Sequence, residues 1–214
     1  MKSDTFERLK SGLLELDMDN AVDAAKSIAG TVDKRAVKDA VNTVTNALQT
    51  VGKRFQNGDW FLAELVYAGE ISKEVMNILS PLMEVGALGS TGTIVVGTVA
   101  GDMHDLGKNI FISYAKSAGF NMIDLGIDVP ATKFVESVKE HHPLALGMSC
   151  LLTSTDREIR KVVEELKRQG LRYKVKVIIG GAALTEQFAE DAGVDAFAPD
   201  AVTGTDIVKK WSSP

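Results

Sequence analysis

The chain has 214 residues, 45% of them hydrophobic and 25% charged, a composition that excludes disordered and collagen-like proteins and supports a buried core. Its 24 basic and 29 acidic side chains leave a net charge of −5, without the long runs of one sign that suit nucleic acid or an anionic membrane. Cys150 is the only cysteine, so an intrachain disulfide and a structural Cys-ligated metal site are both excluded.

At the N-terminus, Asp4, Glu7, Arg8 and Lys10 stand where a signal peptide carries its apolar core, and no window approaches the roughly 20 apolar residues of a membrane span. The expected location is the cytoplasm. Thr5 to Leu16 places Phe6, Leu9, Leu13 and Leu16 on one helical face; Asn20 to Ala29 and Val37 to Phe55 repeat the 3.6-residue period. Asn57-Gly58-Asp59 reads as a breaker ending in a helix N-cap, after which Phe61 to Leu79 form a fourth helix that stops near Ser80-Pro81. Phe61, Leu65 and Met76 read as bundle core. Residues 1–88 are thus expected to be a four-helix-bundle domain. Met83 to Thr93 holds three glycines in eleven residues, the composition of a joint, with the hinge expected at Gly86 to Gly92.

Residues 89–214 alternate. Apolar, β-branched runs at Thr93–Val99, Asn121–Leu125, Leu144–Met148, Val175–Ile179 and Val194–Ala198 are separated by helical stretches at Leu106–Ala118, Ala131–His141, Asp156–Gln169, Thr185–Ala192 and Asp200–Trp211. Short apolar strands joined by helices suit a parallel sheet covered on both faces. The expected fold is a five-stranded, flavodoxin-like, Rossmann-like doubly wound α/β domain behind the helical bundle. His141-His142, before Pro143, reads as a helix end.

Ligands of such sheets bind beyond the carboxyl ends of the strands where strand order reverses, between strands 1 and 3 in the order 2-1-3-4-5. Strand 1 runs into Gly101-Asp102-Met103-His104-Asp105-Leu106-Gly107, strand 3 into Ser149-Cys150-Leu151-Leu152-Thr153, strand 4 into Gly180-Gly181 and strand 5 into Ala198-Pro199-Asp200. The segment after strand 2, Gly126-Ile127-Asp128-Val129-Pro130, looks blander. Asp102 can accept a hydrogen bond from one imidazole nitrogen of His104 and leave the other free for a metal. No further ligand appears at the ends of strands 3 and 4, so a metal here must arrive already coordinated. Those loops offer hydroxyls (Ser149, Thr153), apolar side chains (Leu151, Leu152) and bare backbone (Gly180, Gly181), a lining for an elongated organic group. Cys150 reads as a small buried side chain at a strand end.

Asp102-Met103-His104-Asp105-Leu106-Gly107, then Ser149-Cys150-Leu151 after 41 residues, then Gly180-Gly181 after a further 28, resemble the cobalamin-binding domain family. Its signature is Asp-x-His-x-x-Gly, about 41 residues, Ser-x-Leu, roughly 26 to 28 residues, and Gly-Gly. The helices ahead of it, Asp59 to Met83 included, resemble the cap of corrinoid proteins from methyltransferase systems. The resemblance implies a cobalamin or related corrinoid with His104 as lower axial ligand to cobalt and Asp102 hydrogen-bonded to that imidazole. It implies cofactor contacts at Gly101, Met103, Asp105, Gly107, Ser149, Leu151, Thr153, Gly180, Gly181 and Ala198. It further implies a methyl shuttle between a substrate-specific methyltransferase and an acceptor methyltransferase using tetrahydrofolate or coenzyme M, served by a reductive activase. Alternatives are a cobalamin-dependent sensor, for which a basic DNA-recognition helix is lacking, and a mutase cobalamin subunit, against which the helical cap argues.

Overall fold

The computed structural model describes residues 2–31, 33–82 and 91–213. The chain divides into two units, Met1–Gly89 and Ser90–Pro214. The expected joint and its hinge at Gly86 to Gly92 fall largely on 83–90, outside the described residues.

In the first unit the helical periods form α1 (Lys2–Leu14), α2 (Met18–Ala29), α3 (Lys34–Gln56) and α4 (Leu62–Leu79), followed by a 3-10 turn, Ser80–Leu82. Asp17 caps α2 by accepting from Asn20 N–H, and Asp33 caps α3 by accepting from Arg35 and Ala36 N–H, which satisfies donors every helix start leaves over. Their apolar stripes, with Leu9, Leu13, Ala24, Val44, Leu48, Ile71 and Val75 among the buried residues, make the core. Small residues let the helices approach: a Cβ on Gly12 would lie 2.7 Å from Ala21 N.

Three expectations shift here. α1 ends at Leu14, and Leu16 lies in the following turn at φ 61°. Asp59 is not the α4 cap; Glu64 Oε2 reaches back to accept from Phe61 N–H at 2.9 Å, the half of a capping box that needs no polar residue at the cap itself. Leu65 is buried core, Met76 is half-buried and Phe61 is 76% exposed.

In the second unit β1 (Thr93–Thr98), β2 (Asn121–Asp124), β3 (Ala145–Ser149), β4 (Lys176–Gly180) and β5 (Ala196–Ala198) form one sheet in the order β2-β1-β3-β4-β5. Every pairing is parallel. The crossovers are α5 (Leu106–Ser117), α6 (Ala131–His141), α7 (Arg157–Arg168) and α8 (Glu186–Ala192), with α9 (Ala201–Ser212) last. Strand alternation distributes the core. Val95, Leu146, Met148, Val177 and Ile179 pack with α6, α7 and α8 on one face; Ile94, Ala145 and Ile178 pack with α5 and α9 on the other. This is the expected doubly wound sheet, covered on both faces. His142 ends α6 in the left-handed conformation at φ 44°. Among the described residues no helix is long and apolar enough to cross a membrane.

Phe134 is fully buried, and a Cβ at Gly97 would lie 3.0 Å from its ring and 3.2 Å from Leu125 Cβ. Gly97→Ala should therefore destabilise the protein by about 1–3 kcal/mol through overpacking. Adding Phe134→Leu to that variant should recover part of the loss, a non-additivity that urea unfolding of the two single variants and the double variant will measure.

Candidate functional site

The sheet's register sets the floor of the site. Thr98, Ser149, Gly180 and Ala198 pair in sequence across β1, β3, β4 and β5, so the carboxyl ends of four strands finish in one row of small residues. β1 lies between β2 and β3, and the loop that follows it opens at the point where strand order reverses.

That loop begins as a turn. Asp102 N–H donates to Val99 O at 3.1 Å, with Gly101 at φ 80° in the third position, a conformation that type II turns require and that glycine adopts without strain. The turn delivers the Asp102 side chain inward, where it is fully buried. Oδ1 accepts from His104 N–H at 3.0 Å and pairs with His104 Nδ1 at 2.7 Å. Oδ2 accepts from Leu151 N–H at 2.6 Å and from Leu152 N–H at 3.3 Å.

Burial is the largest influence on the Asp102 carboxyl and raises its pKa. The bonds from His104 N–H, Leu151 N–H, the His104 ring and Leu152 N–H together outweigh burial and hold the group below the ordinary carboxylate value. Asp102 is thus ionised at neutral pH and can only accept, which places a proton on His104 Nδ1 and assigns the lone pair of the neutral ring to Nε2. The His104 side chain is 53% exposed. Thr98, buried, donates its hydroxyl to His104 O at 2.9 Å.

Met103, Leu106, Ile127, Leu151 and Leu152 are large, exposed hydrophobic residues, all on the segments that hold Asp102 and His104. A Cβ at Gly107, in the first turn of α5, would meet nothing within 4 Å. Among the described residues no cluster of three or more His, Cys, Asp or Glu side chains is placed to hold a bare metal ion. One free imidazole nitrogen, open space and exposed apolar side chains fit a metal already held in a large, partly apolar macrocycle.

The remaining expected site residues divide. Asp105 occupies the N-cap position of α5 without capping it; its Oδ2 accepts from Asn109 Nδ2 at 3.0 Å, one turn along the helix. Thr153 lies exposed in the loop after β3. Gly181, at φ 127°, is required by the fold itself, since a Cβ there would lie 2.0 Å from Cys150 O. Gly180 keeps the ends of β4 and β5 close, its absent Cβ falling 3.1 Å from Ala198 O. The Cys150 thiol is buried, contacts Thr155 Oγ1 at 3.4 Å, and is pushed above its ordinary pKa chiefly by burial, as suits an inert packing group.

Three contributors carry no sequence motif. Leu152 adds a second loop amide to Asp102. Buried Lys108 binds both Asp124 oxygens at 2.8 and 2.9 Å, tying the first turn of α5 to the end of β2. The segment after β2 is not bland: Gly101 N–H donates to Asp128 Oδ1 at 2.7 Å, and Asp128 N–H donates to Asp102 O at 3.1 Å. The available signal was an aspartate between Gly126 and Pro130, a setting for a polar turn.

The fold and site define a doubly wound α/β binding domain with an anchored imidazole at its switch point. Residues 92–206 match a family described as "B12 binding domain", and residues 5–80 match a second family of the same description. The chain belongs to the B12-binding domain family. It is 35% identical over 212 residues to trimethylamine corrinoid protein 1 of Methanosarcina mazei, covering 98% of this chain and 96% of that one. It is 43% identical over 155 residues to dimethylamine corrinoid protein 3 of the same organism, covering 72% and 93%. A crystal structure of a cobalamin-binding protein from Desulfitobacterium hafniense DCB-2 superposes with a TM-score of 0.80 at 34% identity, covering 96% and 98%. The methanol:cobalamin methyltransferase complex MtaBC from Methanosarcina barkeri shares the fold, with a TM-score of 0.80 at 23% identity over 98% of this chain and 80% of that one.

Because the folded Asp102 pKa is lowered, its contribution to stability is complete above the unfolded carboxyl value of about 4 and fades as pH falls through the folded value. Asp102→Asn should accordingly cost about 2 kcal/mol or more at pH 7. The gap between the variant and the parent should narrow below about pH 4, which denaturant unfolding of the cofactor-free protein at both pH values will show.

Proposed function

We propose that this protein is the corrinoid-carrying methyl shuttle of a methyltransferase system, with His104 as lower axial ligand to cobalt. The observation that carries the reading is the His104 imidazole, held through Nδ1 on the buried Asp102 carboxylate, with Nε2 directed away from that bond and the side chain half exposed. The names of the relatives, methylamine corrinoid proteins matched over nearly the whole chain, support it. When bound, the corrinoid supplies the cobalt on which a methyl group is carried from donor to acceptor.

The chain's own residues do the rest. Asp102 orients the ring, fixes its tautomer and raises its basicity as a ligand. Gly101, Met103, Asp105 and Gly107 face the cofactor beside His104, while Ser149, Leu151, Thr153, Gly180, Gly181 and Ala198 line its nucleotide tail along the ends of the strands. The chain comprises a helical domain, residues 1–88, and an α/β binding domain, residues 89–214. The partners are a substrate-specific methyltransferase that loads a small methylated donor, an acceptor methyltransferase using tetrahydrofolate or coenzyme M, and a reductive activase. The protein works in the cytoplasm.

Reconstitution with hydroxocobalamin should give a histidine-ligated visible spectrum in the parent protein, and His104→Ala should lose that signature; a spectrum unchanged by the substitution would overturn the ligand assignment. Protein loaded with methylcobalamin should lose its methyl group on mixing with an acceptor methyltransferase and tetrahydrofolate or coenzyme M. Failure with both acceptors would remove the shuttle reading.

A further inference from the structure

We infer that Asp128, in the loop after β2, is a positioning residue that aims the Asp102–His104 pair. The positioning concerns atoms of this chain alone; only its consequence for cofactor binding rests on the function proposed above.

In the turn from Val99 to Asp102 the closing hydrogen bond joins the first carbonyl to the fourth amide, which leaves the amide of the third residue, Gly101, without a partner inside the turn. Asp128 Oδ1 takes that amide at 2.7 Å. The Asp128 N–H then donates to Asp102 O at 3.1 Å. One residue thus grips the backbone just before and just after the peptide joining Gly101 to Asp102. With both sides held, the orientation of that peptide is fixed, and with it the direction in which Asp102 projects its carboxylate towards His104 Nδ1.

Asp128 makes both bonds while held at φ 52°, a left-handed conformation that disfavours most side chains and that Asp and Asn tolerate best. Closing the β2 loop against β1 does not require this. Val129 N–H already donates to Thr98 O at 2.9 Å, and Val99 and Val129 form a parallel bridge. What Asp128 adds is the aim of the turn. Binding sites need their groups held to about 0.5 Å and 10–20°, and the bond from Gly101 N–H to Asp128 holds the turn's central peptide, Ala100–Gly101, which the Val99–Asp102 bond alone leaves free to rotate.

Three substitutions separate the hydrogen bond from the backbone conformation. Asp128→Asn keeps an acceptor and the tolerance for positive φ; Asp128→Gly keeps the tolerance and loses the acceptor; Asp128→Ala loses both. The readout is the protonation of the two ring nitrogens of His104, followed by long-range nitrogen-15 NMR in the cofactor-free protein at about pH 8.5, where imidazole is ordinarily neutral. There are only three histidines, and His104→Ala assigns the signal. The parent and Asp128→Asn should show Nδ1 protonated and Nε2 bare. Asp128→Gly should show a mixture of the two tautomers and bind hydroxocobalamin about tenfold or more weakly, the scale on which loss of a ligand's supporting partner acts. Asp128→Ala should fall further. Parent-like ring signals and affinity in Asp128→Gly would overturn the proposal, as would Asp128→Asn behaving like Asp128→Gly. The glycine variant carries no backbone strain, so it decides the matter even where the alanine variant does not fold. Should the parent itself not bind hydroxocobalamin, the cofactor reading fails, while the comparison of ring nitrogens still decides the role of Asp128.

Discussion

A carboxylate buried out of reach of water governs this structure. Removing such a charge from solvent costs several kcal/mol after relaxation, and Asp102 has no exposed surface. Four donors offset that cost, each charge-assisted bond contributing about 1.5–3 kcal/mol. Two come from His104, on its own loop, and two from Leu151 and Leu152, on the loop after β3. Satisfying the charge therefore locks the ends of β1 and β3 together at the place where the strand order reverses. The charge is also why the imidazole has a defined tautomer, since an ionised carboxylate accepts and never donates.

Small residues make room for that arrangement. Thr98, Ser149, Gly180 and Ala198 end their strands in one register row, and Gly181 lets the chain pass against the Cys150 carbonyl where any side chain would collide. The two glycines are needed by the backbone before a ligand is considered, and the close approach they permit is also what an organic group lying along the strand ends would use. The longer apolar side chains are displaced outward, to Met103, Leu106, Ile127, Leu151 and Leu152. The charge is buried and the imidazole it holds is half exposed, on segments that also expose these apolar side chains.

Much of this was legible in the sequence because periodicity reports burial. The strands and helices of the second unit fall close to their expected limits, α6 at Ala131–His141 matching in full, since each strand is an apolar run and each helix an amphipathic one. The pairing of Asp102 with His104 was legible because two side chains two residues apart have distinctive chemistry. The bonds from Leu151 and Leu152 to Asp102 were not, as they come from main-chain amides, which every residue but proline possesses. Asp128 escaped for a related reason: an aspartate in a turn is ordinary, and only the folded chain fixes which amide it takes. The start of α4 was misplaced because Glu64 supplies the cap from inside the helix, where a polar residue ahead of it was expected.

The same geometry says how much of the histidine is free to move. Its main-chain amide is held by Asp102 Oδ1 and its main-chain carbonyl by the Thr98 hydroxyl, so the backbone at this position is fixed from both directions. The side chain is held by one hydrogen bond at Nδ1 and is otherwise half exposed. Displacing the ring then requires breaking that bond, at about 1.5–3 kcal/mol, and turning side-chain torsions, at about 1 kcal/mol, without disturbing the turn or the sheet. As the proposed ligand to a corrinoid's cobalt, His104 would offer a movable ring on a rigid base. Two main-chain anchors and one side-chain bond provide that division, and they confine the motion to the imidazole itself.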